Sequence, residues 1–335
     1  MYPLLMTPYF RHGSETPWGG NALGAWFGKE VPGEKTGESL EVSALTNRES
    51  IVANGPCAGQ TFTAMIEKWG KDLTGIEPGE FPLLLKLLDA DEMLSVQVHP
   101  GDDYAREHEG KYGKSEAWVV LNCAPGAKIA YGLDTNGKDL AEIVAEGNLE
   151  SALHWEVVQP GEVYYIPHGM VHALGGGIQC YEIQQSSDAT YRFWDWGRVG
   201  KDGQPRELHT KKALDVSRPE LKIGKIPGTT LLCEGGSRTY YISDENFELA
   251  RLNVCGKMPL PEGRMLFITP TAPAKVTWAE GELNLEPFQT VVVPAAMKGV
   301  CVEGKLSVLL SCLPDRESLR TELGYRAENV AGLMD

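Results

Sequence analysis

Most of the chain consists of short runs rich in Val, Ile, Tyr and Thr, broken by Gly or Pro. Such runs predict strands, and so many of them predict an all-β sandwich or barrel into which helices are inserted. Helical periodicity is confined to three stretches. In TFTAMIEKWGKDL (61–73), Phe62, Met65, Ile66 and Trp69 recur at helical spacing behind Thr61, which suits an N-cap. In residues 136–155, Leu140, Ile143, Val144, Leu149 and Leu153 share one face interrupted by Gly147, so two short helices are predicted. PRELHTKKALDV (205–216) is the third.

The chain also echoes itself. QPGEVYYIPHGMVHA (159–173) aligns without gaps on EPFQTVVVPAAMKGV (286–300), matching Pro160 to Pro287, Pro167 to Pro294 and Met170 to Met297. Two β-barrel units of similar plan are therefore expected, the second starting near residue 230. In this register His172 falls opposite Gly299 and His168 opposite Ala295, and no histidine follows His209. Only the first unit can bind a metal through imidazole.

Composition narrows the class. With 335 residues, 42% hydrophobic and 23% charged, the chain can bury a large core. A net charge of −15 argues against nucleic acid or an anionic membrane as partner, and an anionic substrate would need a local positive island. The opening MYPLLMTPYFRHG has no basic n-region followed by a long apolar stretch, so no secretory signal is expected. No apolar run is long enough to span a bilayer. The seven cysteines are scattered without a C-x-x-C pair and read as reduced thiols, mostly core filler, of a cytoplasmic protein.

The chemistry-bearing residues lie in four segments. In SVQVHP (95–100), alternation places Ser95, Gln97 and His99 on one face of a strand. Taken alone, that face reads as the solvent side of an edge strand; facing inward, its polar groups would need a partner such as a metal. In GKYGKSEAWVVL (110–121), Glu116 enters a strand, and Lys114 shares its face if the segment is extended. In YYIPHGMVHALGGG (164–177), two histidines stand four apart. On a helix both would reach one metal. Pro167 and Gly169 instead predict strand, turn and strand, with His172 returning to the interior and His168 left at the turn. His99, Glu116 and His172, with Gln97, can thus converge from separate strands as an N/O set suited to zinc or another divalent first-row ion. In EIQQSSDATYRFWDWGR (182–198), Glu182 and Gln184 share a face. Arg192, set among aromatic residues, is either a stacked structural arginine or an anion clamp.

Together, WGG (18–20), TGESLEVSA (36–44), FPLLLKLLDADEMLSVQVHP (81–100), GKSEAWVVL (113–121), PGEVYYIPHGMVHALGGG (160–177) and the segment 182–198 resemble the cupin superfamily. More closely, they resemble type I mannose-6-phosphate isomerases of the short bacterial kind. The resemblance spans most of the first two-thirds of the chain. It implies a mainly β fold of two cupin-type jelly-roll barrels: a catalytic domain over 1–230, with helical insertions near 59–80, 136–155 and 205–216, and a degenerate second domain over 231–335. It implies one zinc ion per chain on Gln97, His99, Glu116 and His172, and a catalytic arginine at Arg192. Further active-site groups land on Ser95, Lys114, Glu182 and Arg198. Ser95, Lys114 and Arg198 are the phosphate candidates, and Glu182 or Lys114 is the base. The implied reaction interconverts mannose 6-phosphate and fructose 6-phosphate through a cis-enediolate. Departures from the family pattern are Leu40, where many relatives carry Trp, and His168, where a small residue is usual. Two other readings stay open: a cupin that binds a sugar phosphate without turning it over, and a different metal-dependent cupin enzyme. An iron dioxygenase would carry His where Gln97 stands.

Overall fold

The alternating runs form strands of three sheets in the computed structural model, which describes residues 1–33, 35–199 and 203–334. A six-stranded antiparallel sheet has the order Val163–Ile166, Glu116–Cys123, Ile178–Gln185, Leu83–Ala90, Thr36–Val42, Tyr9–His12. A five-stranded sheet has the order Tyr191–Trp194, Val96–Val98, His172–Ala173, Lys128–Leu133, Leu153–Val157. Trp118, Cys180 and Ile166 from the first sheet pack with Ile129 and Tyr131 from the second, so the two sheets share a core. The fold is mainly β and cupin-like, as expected. Hydrogen bonding among the described residues leaves the sheets separate, so the first unit is a two-sheet sandwich in place of a closed barrel.

Leu83–Ala90 shows why the six-stranded sheet reads as a nearly continuous apolar run. Leu83, Leu85 and Leu87 point one way, into a core shared with Leu249, Phe267, Val292 and Leu309. Leu84, Lys86 and Leu88 point the other way, toward the five-stranded sheet. A strand covered on both faces loses its polar alternation. The outer face of the five-stranded sheet, with Val96, Val98, Ala173 and Phe193, is covered by Leu140, Ile143, Leu149 and Ala213 from short helices.

A ten-stranded sheet holds the C-terminal strands, from Thr229–Cys233 to Cys301–Cys312, and takes in Leu4–Thr7 and Ile51–Val52 from the other end of the chain. Leu4 pairs with Val292. The echo between 159–173 and 286–300 is reproduced in detail. Met170 N donates to Pro167 O at 3.2 Å and Met297 N to Pro294 O at 3.1 Å. Gln159 N donates to Glu162 Oε2, and Glu286 N to Gln289 Oε1, both at 2.9 Å.

The helices differ in extent from their sequence pattern. Phe62–Trp69 is capped by the Thr61 hydroxyl, which accepts from Ala64 N, and Gly70 separates it from Lys71–Thr74. Leu140–Ala145 and Leu149–Ala152 form as expected, but residues 153–155 belong to the strand Leu153–Val157. The third helix is only Thr210–Val216; in the residues before it, the Glu207 carbonyl accepts from Arg192 Nη1 at 2.8 Å. The helices Asp102–Glu109 and Arg316–Leu323 were not anticipated. The first buries only Ala105, which leaves no apolar periodicity to read. Of the cysteines, Cys57, Cys180 and Cys312 are buried while Cys233 and Cys255 are exposed, so core filling describes fewer of them than expected. No helix among the described residues is long and apolar enough to cross a membrane.

Candidate active site and metal centre

The corner at 163–173 passes the chain from one sheet to the other. Val163–Ile166 pairs with the strand bearing Glu116, Pro167 ends it, and His172–Ala173 pairs with the strand bearing Gln97. Gly169 makes the turn possible. It has φ +84°, and a Cβ there would lie 2.7 Å from Arg218 Nε and 3.0 Å from Val216 O. Its N–H donates to His99 O at 2.8 Å, which ties the corner to the segment carrying the other histidine.

In the five-stranded sheet Gln97 stands opposite both His172 and Arg192. From the facing sheet comes Glu116. The ligand atoms of His99, Glu116 and His172 lie within 4.8 Å of one another, and all three residues are buried. Each imidazole is oriented by a backbone carbonyl: His99 Nδ1 lies 2.9 Å from Ala189 O, and His172 Nδ1 lies 2.9 Å from Met170 O. Those bonds require the proton on Nδ1, so both Nε2 atoms present lone pairs. They face a carboxylate. His172 Nε2 is 3.2 Å from Glu116 Oε1, and His99 Nε2 is 3.4 Å from Glu116 Oε2. Glu116 Oε1 has no hydrogen-bond donor. Buried acceptors facing acceptors are costly unless a cation lies between them. Lys114 Nζ serves one side, 2.5 Å from Glu116 Oε2 and 3.1 Å from His99 Nε2, and leaves Glu116 Oε1 without a donor. Two imidazoles and a carboxylate fit a divalent metal ion. Gln97 adjoins the set, with Nε2 3.4 Å from His172 Nε2 and Oε1 accepting from Ser95 Oγ at 3.1 Å. With the amide turned over, its oxygen would face the same centre.

The electrostatics favour deprotonated ligands. Burial, reinforced by Lys114, pushes the His99 imidazole down to about 3. Burial would raise the Glu116 carboxyl, but the Lys114 ammonium and His99 hold it well below the usual carboxylate range.

Gln97 and Lys114 line a cavity of about 240 Å³, together with Ser95, Glu182, Arg192 and Arg206. Glu182 stands directly opposite Trp118 on one side and Lys86 on the other. Trp118 Nε1 donates to Glu182 Oε2 at 2.8 Å, and Lys86 Nζ lies 3.1 Å from Glu182 Oε1. A charge ladder continues outward. Lys86 Nζ is 3.6 Å from Glu38 Oε2, to which Arg11 Nη1 donates at 3.1 Å. Burial opposes charge on Glu38, yet Lys86 and Arg11 hold its carboxyl at about 2. Burial likewise opposes charge on Lys86, and Glu182 and Glu38 raise its ammonium above the ordinary value.

Arg192 reaches the cavity from the edge strand. Its Nε donates to Ser95 Oγ at 3.3 Å and its Nη1 to Glu207 O at 2.8 Å. Ser95 thus joins the arginine to Gln97. Arg198 is placed differently: its guanidinium donates to Met93 O and Asp195 Oδ1, both at 2.5 Å, and does not line the cavity. His168 stays in the turn, half-buried against Gly101, apart from the ligand group. Sequence reasoning passed over Lys86, Trp118 and Arg206. For Lys86 a signal exists, a single charge inside LLLKLL; Trp118 alternates with Glu116 and so shares its face; Arg206 carries none.

The phosphomannose isomerase type I catalytic domain matches residues 11–117. The mannose-6-phosphate isomerase ManA of Bacillus subtilis is 34% identical over 320 residues, covering 93% of this chain and 99% of that protein. The mannose-6-phosphate isomerase of Streptococcus mutans is 35% identical over 300 residues, covering 88% of this chain and 94% of that one. A crystal structure of the Bacillus subtilis mannose 6-phosphate isomerase superposes with a TM-score of 0.86 at 32% identity, covering 93% and 99% of the two chains.

Proposed function

From the premise that this chain belongs to the type I phosphomannose isomerases and is an isomerase, we propose that its cavity interconverts mannose 6-phosphate and fructose 6-phosphate with zinc as the metal. The observation that carries this reading is the buried His99, Glu116 and His172 cluster, whose lone pairs converge beside a cavity that also holds Arg192 and Glu182.

The reaction moves a proton between C2 and C1 of the open-chain sugar and shifts the carbonyl, by way of a cis-enediolate. A bound zinc ion supplies Lewis-acid stabilisation of the negative charge that develops on the sugar oxygens. Gln97, His99, Glu116 and His172 would hold it. Glu182 is the base that carries the proton. Its carboxylate is buried, lines the cavity, and is oriented from both sides by Trp118 and Lys86. Lys114 is the other basic group in reach. Arg192, steered by Ser95 and the Glu207 carbonyl, brings a guanidinium to the same cavity to neutralise the enediolate.

A coupled assay with mannose 6-phosphate, run on zinc-loaded protein and again after chelation, tests the reading. Turnover that is lost on chelation and restored by zinc is expected. No turnover in the zinc-loaded protein would overturn it.

A further inference from the structure

We infer that Arg206 is the principal residue holding the substrate phosphate, with Asp195 as the group that aims it; the inference rests on the proposed sugar-phosphate reaction. The argument is one of charge accounting along the cavity wall. A phosphate brings nearly two negative charges into a chain whose net charge is −15, so it needs uncompensated cations. Most cations of the cavity are compensated. Arg11 faces Glu38 and Glu15, Arg48 faces Glu15 and Asp188, Lys86 lies between Glu182 and Glu38, and Lys114 is bonded to Glu116.

The wall formed by Tyr191–Trp194 and the residues that follow it is different. Arg198 and Arg206 share a single buried carboxylate, Asp195. Arg192 beside them has no carboxylate within 4.0 Å among the described residues. The carboxylates of Glu92 and Glu207 near this group are exposed, at 51% and 82%, where water and salt screen them. Three guanidiniums therefore stand against one buried anion, and two of them, Arg192 and Arg206, line the cavity. Their repulsion registers on Arg192, whose guanidinium is pushed down by burial and by Arg206.

The geometry of Arg206 suits the role. Its Nε donates to Asp195 Oδ2 at 2.7 Å and its Nη2 to Asp195 Oδ1 at 2.6 Å. This two-point contact uses one edge of the guanidinium and fixes its plane. Nη1 donates to no described residue, which leaves the remaining face of the fork for an anion. Arg198, on the same carboxylate, donates from its two terminal nitrogens to Asp195 and the Met93 carbonyl, and neither these nor its unpartnered, buried Nε line the cavity. Ser95 is a neutral hydroxyl bonded to Gln97 and Arg192, and Lys114 is charge-paired with Glu116, so neither is an uncompensated cation.

The test compares wild type with Arg206→Gln. Two measurements are made: the kcat and KM for mannose 6-phosphate, and the affinity for inorganic phosphate by calorimetry, which needs no turnover. Loss of a charge-assisted contact predicts KM and the phosphate dissociation constant both raised by about tenfold or more, with kcat changed by less than about threefold. Unchanged phosphate affinity, or a fall in kcat at constant KM, would overturn the assignment. Arg206→Lys guards against misfolding: it keeps the charge but not the fork, so phosphate affinity should still drop by at least about threefold, and wild-type affinity in that variant would also count against Arg206. If wild type fails to isomerise mannose 6-phosphate, the proposed reaction falls, while the calorimetric comparison still decides whether Arg206 binds phosphate.

Discussion

Trp118 and Glu182 stand directly opposite one another on neighbouring strands, and the indole N–H donates to the carboxylate at 2.8 Å. Trp118 also packs edge-on against His172, with ring centroids 5.6 Å apart. One fully buried side chain thus steadies both the proposed base and a proposed metal ligand. Trp118→Phe keeps an aromatic ring beside His172 and deletes the hydrogen bond. The expected result is zinc content near one per chain with kcat lowered about tenfold. Metal analysis beside steady-state kinetics checks it, and loss of zinc would show that packing is the larger role.

The proposed base has its own test. Glu182→Gln keeps the shape of the side chain and the Trp118 contact. It should abolish exchange of the C2 proton of mannose 6-phosphate with solvent, followed by NMR in deuterated water, while zinc stays bound. Retained exchange would move the role to Lys114, whose Nζ lies 2.5 Å from Glu116 Oε2 and 3.1 Å from His99 Nε2.

Lys86 is buried between Glu182 and Glu38. Lys86→Met removes the cation and leaves two buried carboxylates facing each other. A loss of about 3–5 kcal/mol in unfolding free energy is expected from denaturant titration. Adding Glu38→Gln to Lys86→Met should recover part of that loss, since one of the stranded charges is gone.

Glu38 also makes stability depend on pH. Its folded carboxyl sits at about 2 against an ordinary 4.5. A depressed carboxyl contributes stability that is complete above the ordinary value and is lost as pH falls toward the folded one. The contribution, about 3 kcal/mol, should therefore disappear between roughly pH 4.5 and pH 2. Unfolding curves across that window should be steeper in pH for wild type than for Glu38→Gln. Equal slopes would show that the group is not held in its charged form.

The two histidines of the 163–173 corner should separate cleanly. His172→Ala is expected to reduce bound zinc to a small fraction of one ion per chain and to abolish turnover. His168→Ala should leave zinc content and kcat within about twofold, because the turn places His168 outside the ligand group. Zinc loss in the His168 variant would contradict the corner geometry.

How much of this was legible in one dimension follows from the range of the interactions involved. Pro167 and Gly169 act locally. One withholds a ladder donor and the other supplies a positive φ, so the strand-turn-strand corner, with His172 buried in a strand and His168 left in the turn, could be read directly. Alternation is local too, and it put Gln97 with Ser95 and Lys114 with Glu116 on common faces. The His99, Glu116 and His172 cluster and the place of Arg192 beside the cavity became legible only through several short motifs taken together.

Other features depend on strand order, which no local pattern encodes. Leu83–Ala90 lies two strands from Glu116–Cys123, with Ile178–Gln185 between them, and that arrangement turns a lone lysine in an apolar run into the partner of Glu182. Arg198 and Arg206 are both arginines downstream of Arg192, and nothing along the chain says which of them lines the cavity. The difference arises where Asp195 pairs with both and where Arg192 Nη1 bonds the Glu207 carbonyl beside Arg206. Local stereochemistry sets which face a residue occupies. Which charges meet across that face is settled by long-range pairing, and at this site the meeting of charges is the chemistry.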